Sequence, residues 1–172
     1  RLADTLRNLL ENYPRHPQRE EAEWLLPVAL QAAGRYAAAA NEFSKISEKS
    51  PRYEEAQFRL LQCARLGLEQ HAGGEADGYR ARSQEIAANL LKYAKNIEEK
   101  AAGLTHTEAK DMLGWASEAR VNAAELLASQ GVEQHQQAID AVADFEQQYR
   151  DSEFQGRVLA TRIRAYRGLR EF

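Results

Sequence analysis

Pro17-Gln18-Arg19-Glu20-Glu21-Ala22 returns 34 residues later as Pro51-Arg52-Tyr53-Glu54-Glu55-Ala56. That interval holds two short helices and their turns, so its recurrence predicts stacked helical hairpins. In both copies two glutamates fall in the first helical turn, where the positive end of the helix dipole favours them. Surfaces built by repetition commonly hold other proteins, and this spacing carries no catalytic motif.

Working outward, Leu2, Leu6, Leu9, Leu10 and Tyr13 recur at helical spacing before Pro14 and Pro17 close the segment. A second helix is predicted from Gln18 to about Ala33, with Pro27 inside it removing a hydrogen bond and kinking or shortening its first half. Gly34 is a left-handed cap. Tyr36 to about Glu48 reads as the partner helix, with Ala39, Phe43 and Ile46 facing Leu26 and the Leu60 of the next helix, itself about Arg52 to Gln70. The register then breaks at His71-Ala72-Gly73-Gly74-Glu75-Ala76-Asp77-Gly78, which predicts a protruding loop open to proteolysis. Tyr79, Ile86, Leu90, Tyr93 and Ile97 mark a long helix ended by Gly103. Thr105-x-x-Glu108 has the form of a capping box. Met112 through Leu126 give a sixth helix, Ala138 through Tyr149 a seventh, and Glu153 to near Phe172 the last. No strand alternation occurs. The expectation is an all-α array of about eight helices forming one repeat domain over residues 1–172, clearest over 17–67 and looser over 79–172.

Composition narrows the function. The 26 acidic and 23 basic side chains leave a net charge of -3, which argues against nucleic-acid binding through overall charge. The longest apolar run, Trp24 to Leu30, is far too short to span a membrane. Cys63, the only cysteine, can form no internal disulfide and reads as a small buried apolar residue. His16, His71, His106 and His135 are scattered without metal-ligand spacing, and Gly73-Gly74 lacks the lysine and strand of a phosphate loop. No cofactor and no enzymatic activity are expected. The chain opens at Arg1 inside a helical pattern, which suggests a piece of a longer protein, with cytoplasmic and envelope locations both open.

On these residues the chain resembles a tetratricopeptide repeat protein. Gly34-x-Tyr36-x-x-Ala39-x-x-x-Phe43-x-x-Ile46-x-x-x-x-Pro51 follows the second half of that repeat, and Ala22, Leu26, Ala56 and Leu60 fit its first half. Pro27, where the family prefers a small residue, and Leu30 and Ala64, where it prefers an aromatic, depart from the pattern. From Ala138 through Ser152 to the arginine-rich last helix, the chain is similar to repeats of bacterial envelope lipoproteins. The resemblance implies a concave groove binding a protein or peptide, with Glu21, Trp24, Val28, Gln31, Glu55, Phe58, Gln62 and Arg65 facing it.

Trp24 and Phe58 occupy one repeat position and read either as core or as exposed ligand anchors. Arg157, Arg164 and Arg167 share a helical face that reads either as solvated or as an anion-facing strip for an acidic partner. The principal expectation is an interaction scaffold. The alternative is a structural spacer or assembly section with no groove ligand.

Overall fold

The computed structural model describes residues 1–70 and 76–170, with the side chains of 76 and 77 left aside. Among the described residues it is all helical, with no strand. The chain divides into two compact units, Arg1–Ala72 and Gly73–Phe172.

The first unit contains α1 (Leu2–Asn12), α2 (Arg19–Ala32), α3 (Tyr36–Phe43) and α4 (Tyr53–Gln70), each packed on the next. Leu26, Leu30, Ala39, Phe43, Ala56 and Cys63 are buried at its centre, and Ile46 and Leu60 pack against them. These are the residues that the helical period places inward. Arg19 ties α1 to α2, its guanidinium donating to the Leu10 carbonyl (3.0 Å) near the end of α1. Pro27 does not divide α2, which runs through it with the ring buried.

Gly34 ends α2 at φ 70°. There the Gly34 amide donates to the Gln31 carbonyl (3.0 Å) and the Arg35 amide to the Leu30 carbonyl (2.9 Å). Two otherwise open carbonyls are satisfied by this left-handed turn, which glycine adopts without a Cβ penalty. The partner helix is shorter than its apolar spacing predicts: α3 stops at Phe43. Lys45 and Ile46 instead donate back three residues, to Glu42 and Phe43. Ile46 therefore reaches the core from a tight turn.

The second unit contains α5 (Ala76–Ala101), α6 (His106–Ala128), α7 (Val132–Asp140), α8 (Phe145–Gln148) and α9 (Gln155–Arg170). The predicted loop of residues 71–78 falls mostly outside the described residues, and its last three residues already belong to α5. The helix α6 is central, packing on α5, α7 and α9. Ala109, Ala116, Ala119, Ala123, Ala124 and Ala128 are among its buried residues, and such small side chains let helix backbones approach closely. Its first turn carries the capping box. The Thr105 amide donates to Glu108 Oε2 (3.0 Å) and the Glu108 amide to Thr105 Oγ1 (3.5 Å); the Thr105 hydroxyl, donating to Glu108 Oε2 (2.6 Å), and then the Thr105 amide lower the Glu108 pKa.

The seventh predicted helix is in fact two, α7 and α8. The carbonyls of Ala141, Val142 and Ala143 lie between them, and arginines from neighbouring helices take all three. Arg120 donates to Ala141 (2.9 Å), while Arg162 donates to Val142 and to Ala143 (3.1 Å). Meanwhile the Val142 and Ala143 amides donate back only three residues, tightening the turn. Side chains far along the chain thus divide a segment whose apolar spacing alone suits one helix.

Candidate functional site

In the first unit, α2 and α4 present their repeat-related positions to one another through a ladder of polar side chains. Arg52 pairs with Glu21 (3.1 Å) and Arg59 with Glu55 (2.7 Å). Arg59 also donates to Gln31 Oε1 (3.3 Å), and Gln31 donates onward to Gln62 Oε1 (3.4 Å). Trp24 is half-buried within this ladder. Its ring meets Phe43 edge-on, with centroids 5.8 Å apart, and carries the guanidinium of Arg52 at 5.0 Å and that of Arg59 at 5.7 Å. Each cation above the indole contributes about 0.5–1 kcal/mol at a partly exposed position. The ring is therefore held in place by the core on one side and by charge on the other.

The two aromatics of the shared repeat position part ways here. Phe58 is only 4% exposed and is a core side chain, not an anchor open to a ligand. A phenyl ring has no polar atom to keep in water, whereas the Trp24 indole stays partly wet beside two arginines. Val28 packs on the core cluster, and Arg65 is bound to Glu69 (3.0 Å) one turn along its own helix. Arg52 and Arg59, absent from the expected groove set, are the residues that frame Trp24. The four-residue spacing of Glu55 and Arg59 was the signal available for the second of them.

An open cleft of about 1060 Å³ begins at Trp24 and runs toward the start of α2, lined by Glu21, Arg52, Arg7, Lys45 and Ile46 among others. Its wall mixes both signs of charge around a partly apolar floor. Cys63 plays no part in it: buried on α4, its thiol is pushed up to about 11 by desolvation, which keeps it protonated and unreactive at neutral pH.

In the second unit three arginines brace the interior. Arg157 makes a two-pronged contact with Glu125 on α6 (2.9 and 2.6 Å) and donates to the buried Asn122 (2.7 Å). It is thus removed from the expected anion-facing strip, because α6 supplies its carboxylate from within the fold. Arg162 pairs with Glu146 (2.7 Å) besides its two carbonyls. Arg120 reaches Asp144 (2.5 Å), Glu98 (3.6 Å) and the face of Tyr149 (5.9 Å), and the Tyr149 hydroxyl donates to Glu98. Burial, and then the Glu98 carboxylate, push the Tyr149 pKa well above its ordinary value. Arg164 and Arg167 remain on the outside of α9.

No protein-family model matches this chain, and neither does any curated protein. No described helix is long and apolar enough to cross a membrane.

Proposed function

We propose that this chain is a protein-interaction module of tetratricopeptide-like type, without chemistry of its own. Its hairpins stack as an α-solenoid and hold a peptide or partner domain at the Trp24 cleft, between α1, the start of α2 and the turn before α4. One observation carries the reading: the indole of Trp24 stands half-exposed in the wall of a cleft, fixed by Phe43, Arg52 and Arg59. A large, pre-positioned aromatic loses little conformational freedom on binding, which is what an interface anchor requires. The mixed charge of the cleft suits a peptide carrying polar groups of both signs beside one apolar side chain.

The spacer alternative draws on a different observation. Much of the remaining ladder is already satisfied internally, with Gln31, Gln62 and Arg59 bonded to one another. Selection of random displayed peptides on the purified chain separates the two readings. Peptides that bind should quench or shift Trp24 fluorescence, read in a Trp115→Phe background so that a single indole reports. Trp24→Ala should weaken them by about 1–3 kcal/mol with helical content unchanged. Failure to enrich any Trp24-dependent sequence would favour the spacer.

A further inference from the structure

Among the described residues, the outer face of α9 carries an aligned set of exposed apolar side chains. Leu159, Ile163 and Tyr166 are 57%, 45% and 50% exposed, and their spacings of four and three residues align them along one side of the helix. The other exposed large apolar residues, Leu2, Tyr13, Leu25 and Leu104, are scattered over separate parts of the chain. Scattered apolar residues are ordinary on a protein surface, whereas an aligned stripe marks a place where something docks.

Charge says what docks. Arg170 continues the stripe, Arg167 borders it and Arg164 lies farther round on the same side; all three are exposed and, among the described residues, form no ion pair. The inward arginines of the same helix behave oppositely, since Arg157 and Arg162 are consumed by Glu125 and Glu146. A strongly basic face thus sits on a chain whose net charge is -3.

Beside the stripe, a cleft of about 440 Å³ is lined by Ala160, Ile163, Arg164, Arg167, Gly168 and His135. Gly168 makes it possible: a Cβ there would lie 1.9 Å from His135 Cε1, so the imidazole packs directly on the α9 backbone. His135 is bonded through Nε2 to the Ala128 carbonyl (3.2 Å), while its buried Nδ1 has no hydrogen-bond partner.

We propose that this face is a second docking surface, for an acidic amphipathic helix. The partner's apolar side chains cover Leu159, Ile163 and Tyr166, and its carboxylates meet Arg164, Arg167 and Arg170. A second copy of this chain docked about a two-fold axis would instead set these arginines against their own counterparts, a like-charge contact that opposes association.

The test uses the full chain and a labelled synthetic helix of about 18 residues, long enough to hold helical structure, with a leucine stripe flanked by glutamates. A control peptide carries lysine in place of each glutamate. Fluorescence anisotropy should show the acidic peptide binding, more weakly as salt rises, and the basic one not binding. Arg164→Glu/Arg167→Glu should weaken the acidic peptide by about tenfold or more, and Leu159→Ser/Ile163→Ser likewise. All four side chains are exposed, so circular dichroism should remain unchanged. Trp24→Ala should leave this binding intact, which separates the result from that of the Trp24 cleft. Equal binding of both peptides, or acidic binding that survives both double variants, would overturn the proposal. So would a dimer, seen by light scattering, that Ile163→Ser dissociates, because a second copy would then cover the face.

Discussion

The two units reach the same end, packed helices, by different physical routes. The first is held by apolar residues that recur at fixed intervals, with Leu26, Ala39, Phe43 and Ala56 buried where the helical period puts them. Over that core Glu21 pairs with Arg52, and Glu55 with Arg59. In the second, arginines also reach across long sequence separations to bind carboxylates and free carbonyls. Apolar burial organises the first; in the second, arginine contacts are added to an apolar core that includes Leu90, Ile97, Val121 and Phe145. The first leaves Trp24 partly exposed in the wall of a cleft. The second engages Arg120, Arg157 and Arg162 in such contacts, while Arg164, Arg167 and Arg170 stay exposed on α9.

The largest effect that sharpens this contrast is at Phe43. It is wholly buried, touches Trp24, and lies in the turn that shortens α3. Phe43→Ala should destabilise the first unit by about 3–5 kcal/mol, from lost burial plus the cavity left behind. Urea denaturation with hydrogen exchange read over α1 to α4 measures this. A cost within ~0.5 kcal/mol, the scale of an ordinary surface change, would mean that the first unit is not organised around its apolar repeat.

A smaller loss is expected at Arg120, which serves the second unit as Phe43 serves the first. Its guanidinium holds the Ala141 carbonyl, Asp144 and Glu98 together. Arg120→Ala should cost about 2–3 kcal/mol, mostly from partners left desolvated and unpaired. Arg120→Lys should recover little, since an ammonium cannot reproduce the planar fork. The same urea series measures both. If lysine restored the whole loss, charge alone would suffice and the multi-carbonyl geometry would be irrelevant.

These contrasts explain how much was legible in the sequence. Helix positions, the Gly34 turn, the Thr105 capping box and the apolar core of the first unit follow from local rules, each depending on residues within a few turns. The division of α7 from α8 was not legible, because it depends on Arg120 and Arg162 arriving from other helices. The same holds for the site. Trp24 could be named from its repeat position, but Phe58 shares that position and is buried, so periodicity alone cannot separate them. For α9, sequence placed Arg157, Arg164 and Arg167 on one side. Only the contact with Glu125 turns Arg157 inward and leaves the other two outside.

The smallest effect is a dependence on alkaline pH that the second unit should show through Tyr149, separate from that of the raised Cys63 thiol in the first unit. Tyr149 is buried, its hydroxyl donates to Glu98, and both burial and that carboxylate hold its pKa above the ordinary value of 10.0. In the unfolded chain the phenol ionises near pH ~10, while in the folded chain it keeps its proton. Above that pH the folded state binds more protons than the unfolded one, so stability falls as pH rises. The contribution is complete below the unfolded pKa and is lost as the pH climbs toward the folded one. By about pH 10.5 the loss from this residue should be about 1 kcal/mol. Tyr149→Phe lowers stability at neutral pH by removing the bond to Glu98, but it should flatten the decline between neutral and alkaline conditions. Chemical denaturation of both proteins across that range reads the difference in slope. Parallel slopes would show that Tyr149 ionises as freely in the folded unit as in the unfolded chain, and that the Glu98–Tyr149–Arg120 cluster is not closed to solvent.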